Sequence, residues 1–159
     1  MILAMREATK ADLAAILALL VDDDLGKLRE DPADPVYLEA FTAIRHDPNQ
    51  RFIVATIGDR IAGCFQLTFI PGLSRRGSWR AQIESVRVER PLQGQGIGKK
   101  MMLHAIEIAR ERGCGLVQLT SDRRRKEAHR FYESLGFAAT HEGMKLRLVG
   151  EDASGEVKR

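Results

Sequence analysis

The sequence has few of the residues, cysteine above all, that mark disulfide-rich and metal-binding proteins. Its 159 residues include two cysteines, one tryptophan and five prolines. Cys64 and Cys114 have no metal-ligand spacing such as C-x-x-C, so the sequence predicts neither a disulfide framework nor a metal site. Because such cysteine usage is typical of a reducing compartment, we expect a cytoplasmic protein.

Long apolar runs and a large excess of one charge are absent too. The apolar run over 13–21 is well short of the roughly 20 residues that a membrane span requires. Asp12 and Asp22 flank this run and no small-residue cleavage site follows it, so we do not expect a signal peptide. The net charge is only +3, and the basic residues lack an interleaved aromatic platform. We therefore expect neither a membrane nor a nucleic acid as a partner.

Length and composition favour one globular domain. A chain of 159 residues is about the size of a single domain, and its 44% hydrophobic and 30% charged residues are near the globular average. No repeat, low-complexity tract or linker divides it. We predict one domain over residues 1–150 and a flexible polar tail over 151–159.

The periodicity of apolar residues predicts the order of helices and strands. Helical spacing predicts helices after Thr9, after Asp34-Pro35, from Ile97 to Gly113 and through Ala128 to Gly136. Strand patterns cover residues 52–57, 60–70, 80–88 and 116–120, and a final hairpin is predicted from 137–140 and 144–149.

These elements indicate an α/β fold. The strand over 80–88, the helix from Ile97 and the strand over 116–120 form a βαβ unit, whose two strands should be parallel. The earlier strands, joined by Gly58-Asp59, should pair antiparallel. We predict a mixed, largely antiparallel sheet of six or seven strands, with one parallel pair and helices on both faces.

A glycine-rich loop lies between the strand over 80–88 and the long helix. It reads Gln93-Gly94-Gln95-Gly96-Ile97-Gly98-Lys99. Glycines permit close backbone approach, and the first amides of a helix bind anions, so the loop suits a phosphate. A P-loop would need serine or threonine at Lys100, and a dinucleotide fingerprint starting at Gly94 would need glycine at Lys99. An anion site of another kind and a plain strand-to-helix turn both stay open.

Two segments together resemble one family. Gln93-x-x-Gly96-x-Gly98 resembles the acyl-CoA pyrophosphate motif of the GNAT superfamily of N-acetyltransferases. The segment from Ala128 through Phe131-Tyr132 to Gly136-Phe137 is similar to the A-x-x-F-Y-x-x-x-G-F ending of that family. The resemblance covers about residues 80 to 148 and implies a GNAT-like fold, acetyl-CoA as cosubstrate, and parallel strands that part to admit pantetheine.

The resemblance also implies where the cofactor binds. Pantetheine would contact the backbone at Val86 and Val88, and the pyrophosphate would rest on the glycine loop. Ser121 stands where many relatives carry an asparagine facing pantetheine. Arg125 belongs to a basic cluster that either binds a phosphate or is simply exposed to solvent at the start of the following helix. The implied cofactor-binding residues are Val86, Val88, Gln93, Gly94, Gln95, Gly96, Ile97, Gly98, Lys99, Ser121 and Arg125.

Two residues are candidates for catalysis. Tyr132 has the role of proton donor to the CoA thiolate by resemblance, and a phenol with a pKa near 10 keeps its proton at neutral pH; otherwise it is a core aromatic. Strand alternation places Glu84 on the face of Val86 and Val88, where a desolvated carboxylate would suit a general base. The other interpretation of Glu84 is an ion pair with a neighbouring arginine.

The predicted function is acetyl-CoA-dependent N-acetylation of the primary amine of a small molecule, by direct transfer. The alternatives are acetylation of a protein lysine or N-terminus, and a noncatalytic acyl-CoA-binding module. Because many GNAT proteins pair, the resemblance also allows a homodimer.

Overall fold

A five-stranded sheet forms the centre of the fold. The computed structural model describes residues 2–23, 26–151 and 157–158. The strands follow one another across the sheet in chain order, and they are β1 Leu3–Glu7, β2 Gln50–Ile57, β3 Arg60–Ile70, β4 Arg80–Val88 and β5 Leu116–Gln118. The first three pairings are antiparallel and the last, β4 with β5, is parallel. The predicted mixed sheet with one parallel pair is confirmed.

Helices cover both faces of the sheet, as predicted. They are α1 Leu13–Val21, α2 Gly26–Arg29, α3 Val36–His46, α4 Ile97–Glu111 and α5 Lys126–Ser134. On one face α1 and α3 bury Ile16 and Phe41 against Val54 and Cys64. On the other face lies the larger core, in which α4 packs against the sheet through Met101, Met102, Ala105, Ile108 and Ala109. Within the described residues, no helix is long and apolar enough to cross a membrane.

The hairpin of β2 and β3 is built from local signals. Gly58 has a φ of +58°, which a two-residue turn of this kind favours. Ile53, Val54 and Ala55 are each 0% exposed, because consecutive strand residues face opposite sides and helices cover both. This pair of strands therefore lies at the middle of the core.

Asp12 ties the first strand to the first helix. Its carboxylate accepts hydrogen bonds from Nη1 and Nη2 of Arg6 at 2.6 and 2.9 Å, and from the backbone N–H of Thr9 at 2.8 Å. The Arg6 guanidinium, helped by the Thr9 amide, lowers the pKa of Asp12 from 3.8 to about 2. The predicted helix entry after Thr9 is confirmed, and there the buried carboxylate of Asp12 pairs with the partly exposed guanidinium of Arg6.

Two predictions about the sheet were wrong. The strand β1 was not predicted, and its short sequence alternates apolar residues with alanine, arginine and glutamate. The final hairpin is absent, since residues 137–149 contain no strand and Met144, Leu146 and Leu148 are 94%, 86% and 93% exposed. Alternation specifies an apolar face, but a strand also needs a partner edge. The sheet therefore has five strands, not six or seven.

The chain ends in a separate pair of short strands. β6, Gly150–Glu151, pairs antiparallel with β7, Val157–Lys158. Most of the tail that was expected to be flexible, residues 152–156 and 159, lies outside the described residues.

We predict that Asp12→Asn lowers the free energy of unfolding by roughly 1–2 kcal/mol at neutral pH. Because the folded pKa of Asp12 is below its unfolded value, its contribution is complete well above pH 3.8 and is lost as the pH falls towards about 2. Urea unfolding at neutral pH and at about pH 3 measures this, and the loss should shrink at the lower pH. Asp59→Asn, in the exposed β2–β3 turn, is the control and should change little at either pH. A deficit for Asp12→Asn that is the same at both pH values would contradict the assignment.

Candidate active site

The parallel strands β4 and β5 part after a short stretch. They pair only where Arg80–Gln82 meets Leu116–Gln118. Beyond Gln82, β4 continues to Val88, and among the described residues no strand pairs with it on the β5 side. An exposed strand edge offers amide and carbonyl groups to an extended ligand. The parting therefore opens a backbone edge next to the loop that follows β4.

A bulge at Ser85 changes the direction of the side chains in β4. Ser85 has a φ of +55°, and the register steps from Gln66 opposite Glu84 to Cys64 opposite Arg87. Between these two pairs, the single β3 residue Phe65 lies opposite two β4 residues, Ser85 and Val86, which is the count of a β-bulge. Glu84 and Arg87 consequently lie on the same face of the sheet, the one covered by α1 and α3.

The predicted surroundings of Glu84 were wrong for this reason. Val86 and Val88 pack against the larger core on the α4 face, whereas Glu84 is exposed on the opposite face across from Gln66. In a regular strand, successive side chains point to opposite faces of the sheet. This alternation fails in β4 because the bulge adds one residue. Glu84 is thus a solvated carboxylate, and the expected desolvation among valines does not occur.

Arg87 is a mostly buried cation beside this carboxylate. Its side chain is 13% exposed, and its Nη2 lies 3.2 Å from the Asp23 carboxylate. Nη1 donates to the carbonyl of Val86 at 2.9 Å, while Nε is buried without a hydrogen-bond partner among the described residues. Burial lowers the pKa of Arg87, and the charge of Asp23 opposes that shift. The site therefore contains a charged group that is only partly satisfied.

The glycine loop leads directly into α4. Gly94 and Gly96 have φ values of +77° and +83°, and Gly96 is the residue that precedes the helix. The amide of Lys100 bonds to the carbonyl of Gly96 at 3.1 Å, which leaves the amides ahead of it without helical partners. Ile97 is 2% exposed and anchors the turn in the core. The loop therefore presents free amides at a positive helix end, and the exposed Lys99 lies beside them.

Two glutamine side chains hold the loop in this shape. Gln93 Nε2 donates to the carbonyl of Val88 at 3.1 Å, and Gln95 Nε2 donates to the carbonyl of Pro91 at 3.3 Å. The carbonyl oxygen has a second lone pair, so Val88 can still accept a bond from a ligand. The side chains of both glutamines thus position the loop rather than extend from it.

Gly98 packs where three elements meet. A Cβ on this residue would lie 3.5 Å from Phe131 and 3.7 Å from Val88, which is ordinary contact. Gly98 therefore brings the start of α4 close to β4 and α5, but it does not need a positive φ. Gly96, in contrast, has open space around it and a backbone conformation that favours glycine.

Tyr132 lies on α5 at the edge of the larger core. Its ring is 5.2 Å from that of Phe131 and 5.9 Å from that of Phe137. Its hydroxyl makes no hydrogen bond to the described part of the chain. Burial raises the pKa of Tyr132, against the lowering effects of Arg125 and Arg87. The phenol is therefore protonated at neutral pH, and both arginines lie close enough to act on it.

The loop before α5 brings Ser121 and Arg125 to the same region. The Ser121 hydroxyl is buried and has no partner among the described residues. His129 Nε2 lies 2.9 Å from the carbonyl of Asp122, an acceptor, so this nitrogen carries the proton. Arg125 precedes α5, is half-buried and forms no ion pair with a described residue. The loop thus supplies one free hydroxyl and one free cation.

Most predicted site residues belong to one region of the molecule. Contacts and charge interactions connect Val86, Val88, Gly98, Arg125 and Tyr132 to each other through the core cluster and α5. Glu84 faces the other side of β4.

The sequence did not predict the pairing of Arg87 with Asp23 or the bulge at Ser85. For the ion pair, the sequence offers only a weak signal, an arginine between two valines of a strand. For the bulge it offers none, because a serine within a strand pattern does not by itself indicate an extra residue. Both features belong to the face of β4 that carries Glu84.

Comparisons with known proteins identify the family of this chain. The Acetyltransferase (GNAT) family model matches residues 13–137. Aminoalkylphosphonate N-acetyltransferase of Salmonella typhimurium is 28% identical over 137 residues, which are 86% of this chain and 86% of that protein.

Two solved structures are also similar. The crystal structure of a Bacillus halodurans C-125 protein described as a transcriptional regulator has a TM-score of 0.90 and 48% identity, and the match covers 92% of this chain and 100% of that one. A Trypanosoma brucei acetyltransferase has a TM-score of 0.75 and 32% identity, over 92% of this chain and 100% of that one. With its parted parallel strands and its glycine loop, this chain belongs to the GNAT family of acetyltransferases.

Proposed function

We propose that this protein transfers the acetyl group of acetyl-CoA directly to the primary amine of a small molecule. The observation that carries the proposal is the free edge of β4, which leads into the glycine loop, while Val86, Val88 and Tyr132 pack against one core cluster. A thioester held along that edge would have an anion site at one end and a proton donor at the other. No covalent intermediate on the protein is required.

The residues present fit acetyl-CoA, which supplies the activated acetyl group. The free amides of Ile97, Gly98 and Lys99 suit its pyrophosphate, because a helix N-terminus favours anions. The backbone of Val86 and Val88 suits the amides of pantetheine. Among the described residues, the Ser121 hydroxyl has no hydrogen-bond partner and Arg125 forms no ion pair, and both side chains suit the polar parts of the cofactor.

The transfer needs a proton donor for the leaving group. The amine nitrogen attacks the thioester carbon, the C–N bond forms, and the C–S bond breaks with its electrons on sulfur. Tyr132 gives its phenolic proton to that thiolate, and burial raises its pKa so that it holds the proton until then. The amide of Val86 is suited to stabilise the oxyanion.

The transfer also needs a base for the amine. Glu84 is a solvated carboxylate on the acceptor-facing side of β4 in this proposal, and it takes the proton of the attacking amine through water. The exposed position of Glu84 is compatible with such a relay.

A small-molecule acceptor is supported by the relative from Salmonella typhimurium, whose name gives an aminoalkylphosphonate as acceptor. A homodimer stays a prediction. Acetylation of a protein amine, or cofactor binding without turnover, would be distinguished by an amine panel assayed for CoA release.

We predict that Gly96→Ala lowers the free energy of unfolding by about 1 kcal/mol and weakens acetyl-CoA binding, because alanine disfavours a positive φ. Gly58→Ala is the matched control, because Gly58 also has a positive φ and open space around it, and it should lower stability while retaining acetyl-CoA binding. Thermal unfolding with acetyl-CoA, CoA, ATP and NAD measures both effects. A ligand at about 100 times its Kd adds roughly 2.7 kcal/mol. No stabilisation of the wild type by acetyl-CoA or CoA would overturn the proposed cosubstrate.

We predict that Tyr132→Phe lowers kcat by about 10²- to 10⁴-fold while acetyl-CoA affinity is retained. The substitution keeps the aromatic ring and removes only the hydroxyl that donates the proton. Because burial raises the pKa of Tyr132, the wild type should lose no activity through ionisation of Tyr132 near neutral pH, and any such loss should begin at a more alkaline pH than for a free phenol. Tyr37→Phe is the control, at the other of the two tyrosines. Equal rates for Tyr132→Phe and wild type would remove the role of proton donor.

We predict that Glu84→Gln lowers kcat by about 10²-fold without a loss of stability, because the side chain is exposed and only its basicity is removed. Glu107→Gln, at an exposed position on α4, is the control. Initial rates and thermal unfolding of both variants make the comparison, and an unchanged kcat for Glu84→Gln would leave water alone as the base.

A further inference from the structure

The hydrogen-bond donors of Arg87 are not all used by the described residues around it. Burying a charged group is costly unless it is paired and hydrogen-bonded. Arg87 has one carboxylate partner, Asp23, at 3.2 Å through Nη2, and its Nε is buried without a partner among the described residues. A guanidinium has five N–H donors arranged to bind oxyanions. The donor that is left over is therefore of the type that a phosphonate, phosphate or carboxylate accepts.

A second cation adds to this charge. Arg125 is half-buried, forms no ion pair with a described residue, and repels Arg87 electrostatically. Both arginines also act on Tyr132, so the cationic region borders the proposed proton donor. An anion bound there would offset the repulsion between the two guanidinium groups.

The bulge places this cation on the same face of β4 as the proposed base. Glu84 and Arg87 share one face of β4, three residues apart in sequence. At roughly 3.3 Å per residue, their Cα atoms are within about 10 Å of each other along the strand. A short molecule with an amine at one end and an oxyanion at the other matches this order of charges.

We propose that the acceptor amine also carries an oxyanion, a phosphonate, phosphate or carboxylate, and that Arg87 binds it. This inference rests on the proposed function and names the class of its acceptor. Asp23 occupies Nη2 in the free protein, and the acceptor anion takes its place there and uses the free Nε as well. Arg87 is thereby a specificity residue, and Tyr132 and Glu84 serve the chemistry.

Rates with three amines of similar length test the proposal. They are 2-aminoethylphosphonate, 3-aminopropanoate and the neutral 3-amino-1-propanol. We expect the wild type to prefer one or both anionic amines, and Arg87→Gln to raise KM for them by about 10- to 100-fold with little change for the neutral amine. Arg90→Gln is the matched control, because Arg90 forms an exposed pair with Asp22. No preference for an anion in the wild type, or an equal loss for all three amines in Arg87→Gln, would overturn it.

A binding measurement separates this inference from the proposed function. Methylphosphonate and acetate are titrated by calorimetry into the protein saturated with CoA, which keeps the glycine loop occupied. Binding of either to the wild type and not to Arg87→Gln would support the anion site even if no amine is acetylated. Binding of neither, or equal binding to both proteins, would overturn the site.

A conservative variant separates a loss of anion binding from a loss of folding. Arg87→Lys keeps the buried charge but loses the forked donors, so it should fold and still bind the anion more weakly than the wild type. Asp23→Asn removes the competing carboxylate and should leave anion binding equal or tighter. Weaker binding in Asp23→Asn, with the fold retained, would contradict the exchange of partners.

Discussion

Backbone pairing between β4 and β5 ends at Gln82 and Gln118, and the rest of the candidate site depends on that limit. If parallel pairing continued to Val88, the amides and carbonyls of the two strands would bond to each other and no edge would be left for a ligand. The connection from β4 through the glycine loop and α4 returns the chain to β5. One βαβ unit therefore supplies both the open edge and the helix end beside it.

The bulge at Ser85 is the second constraint, because it separates two environments within one strand. In a regular strand, residues 84 and 87 would face opposite sides of the sheet. With the additional residue, Glu84 and Arg87 share the α1 and α3 face while Val86 and Val88 stay in the larger core. A positive φ at serine costs about 1 kcal/mol or more, and it persists because regular pairing with β3 on both sides holds it.

Local signals explain which parts of the fold could be predicted from the sequence. The β2–β3 hairpin and the βαβ unit were predicted because apolar periodicity and the Gly58-Asp59 turn are contiguous in the chain. β1 was missed because its pattern is weak and it forms by pairing with β2, far along the sequence. The hairpin over 137–149 was predicted from alternation, which does not specify a partner edge.

The same distinction separates the glycine loop from the face of β4 that carries Glu84 and Arg87. The glycine loop is a run of consecutive residues, so its position at the start of α4 followed from the sequence. Arg87 and Asp23 are 64 residues apart, and no spacing in the sequence brings them together. Strand alternation predicted the wrong face of β4 for Glu84, because no signal in the sequence indicated the bulge. Because the glycine loop is encoded locally while the Glu84 and Arg87 face of β4 depends on long-range contacts, a family motif identifies the first and only the structure reveals the second. Changes in the connection after α1 that move Asp23 would therefore alter the surroundings of Arg87 and leave the glycine loop intact.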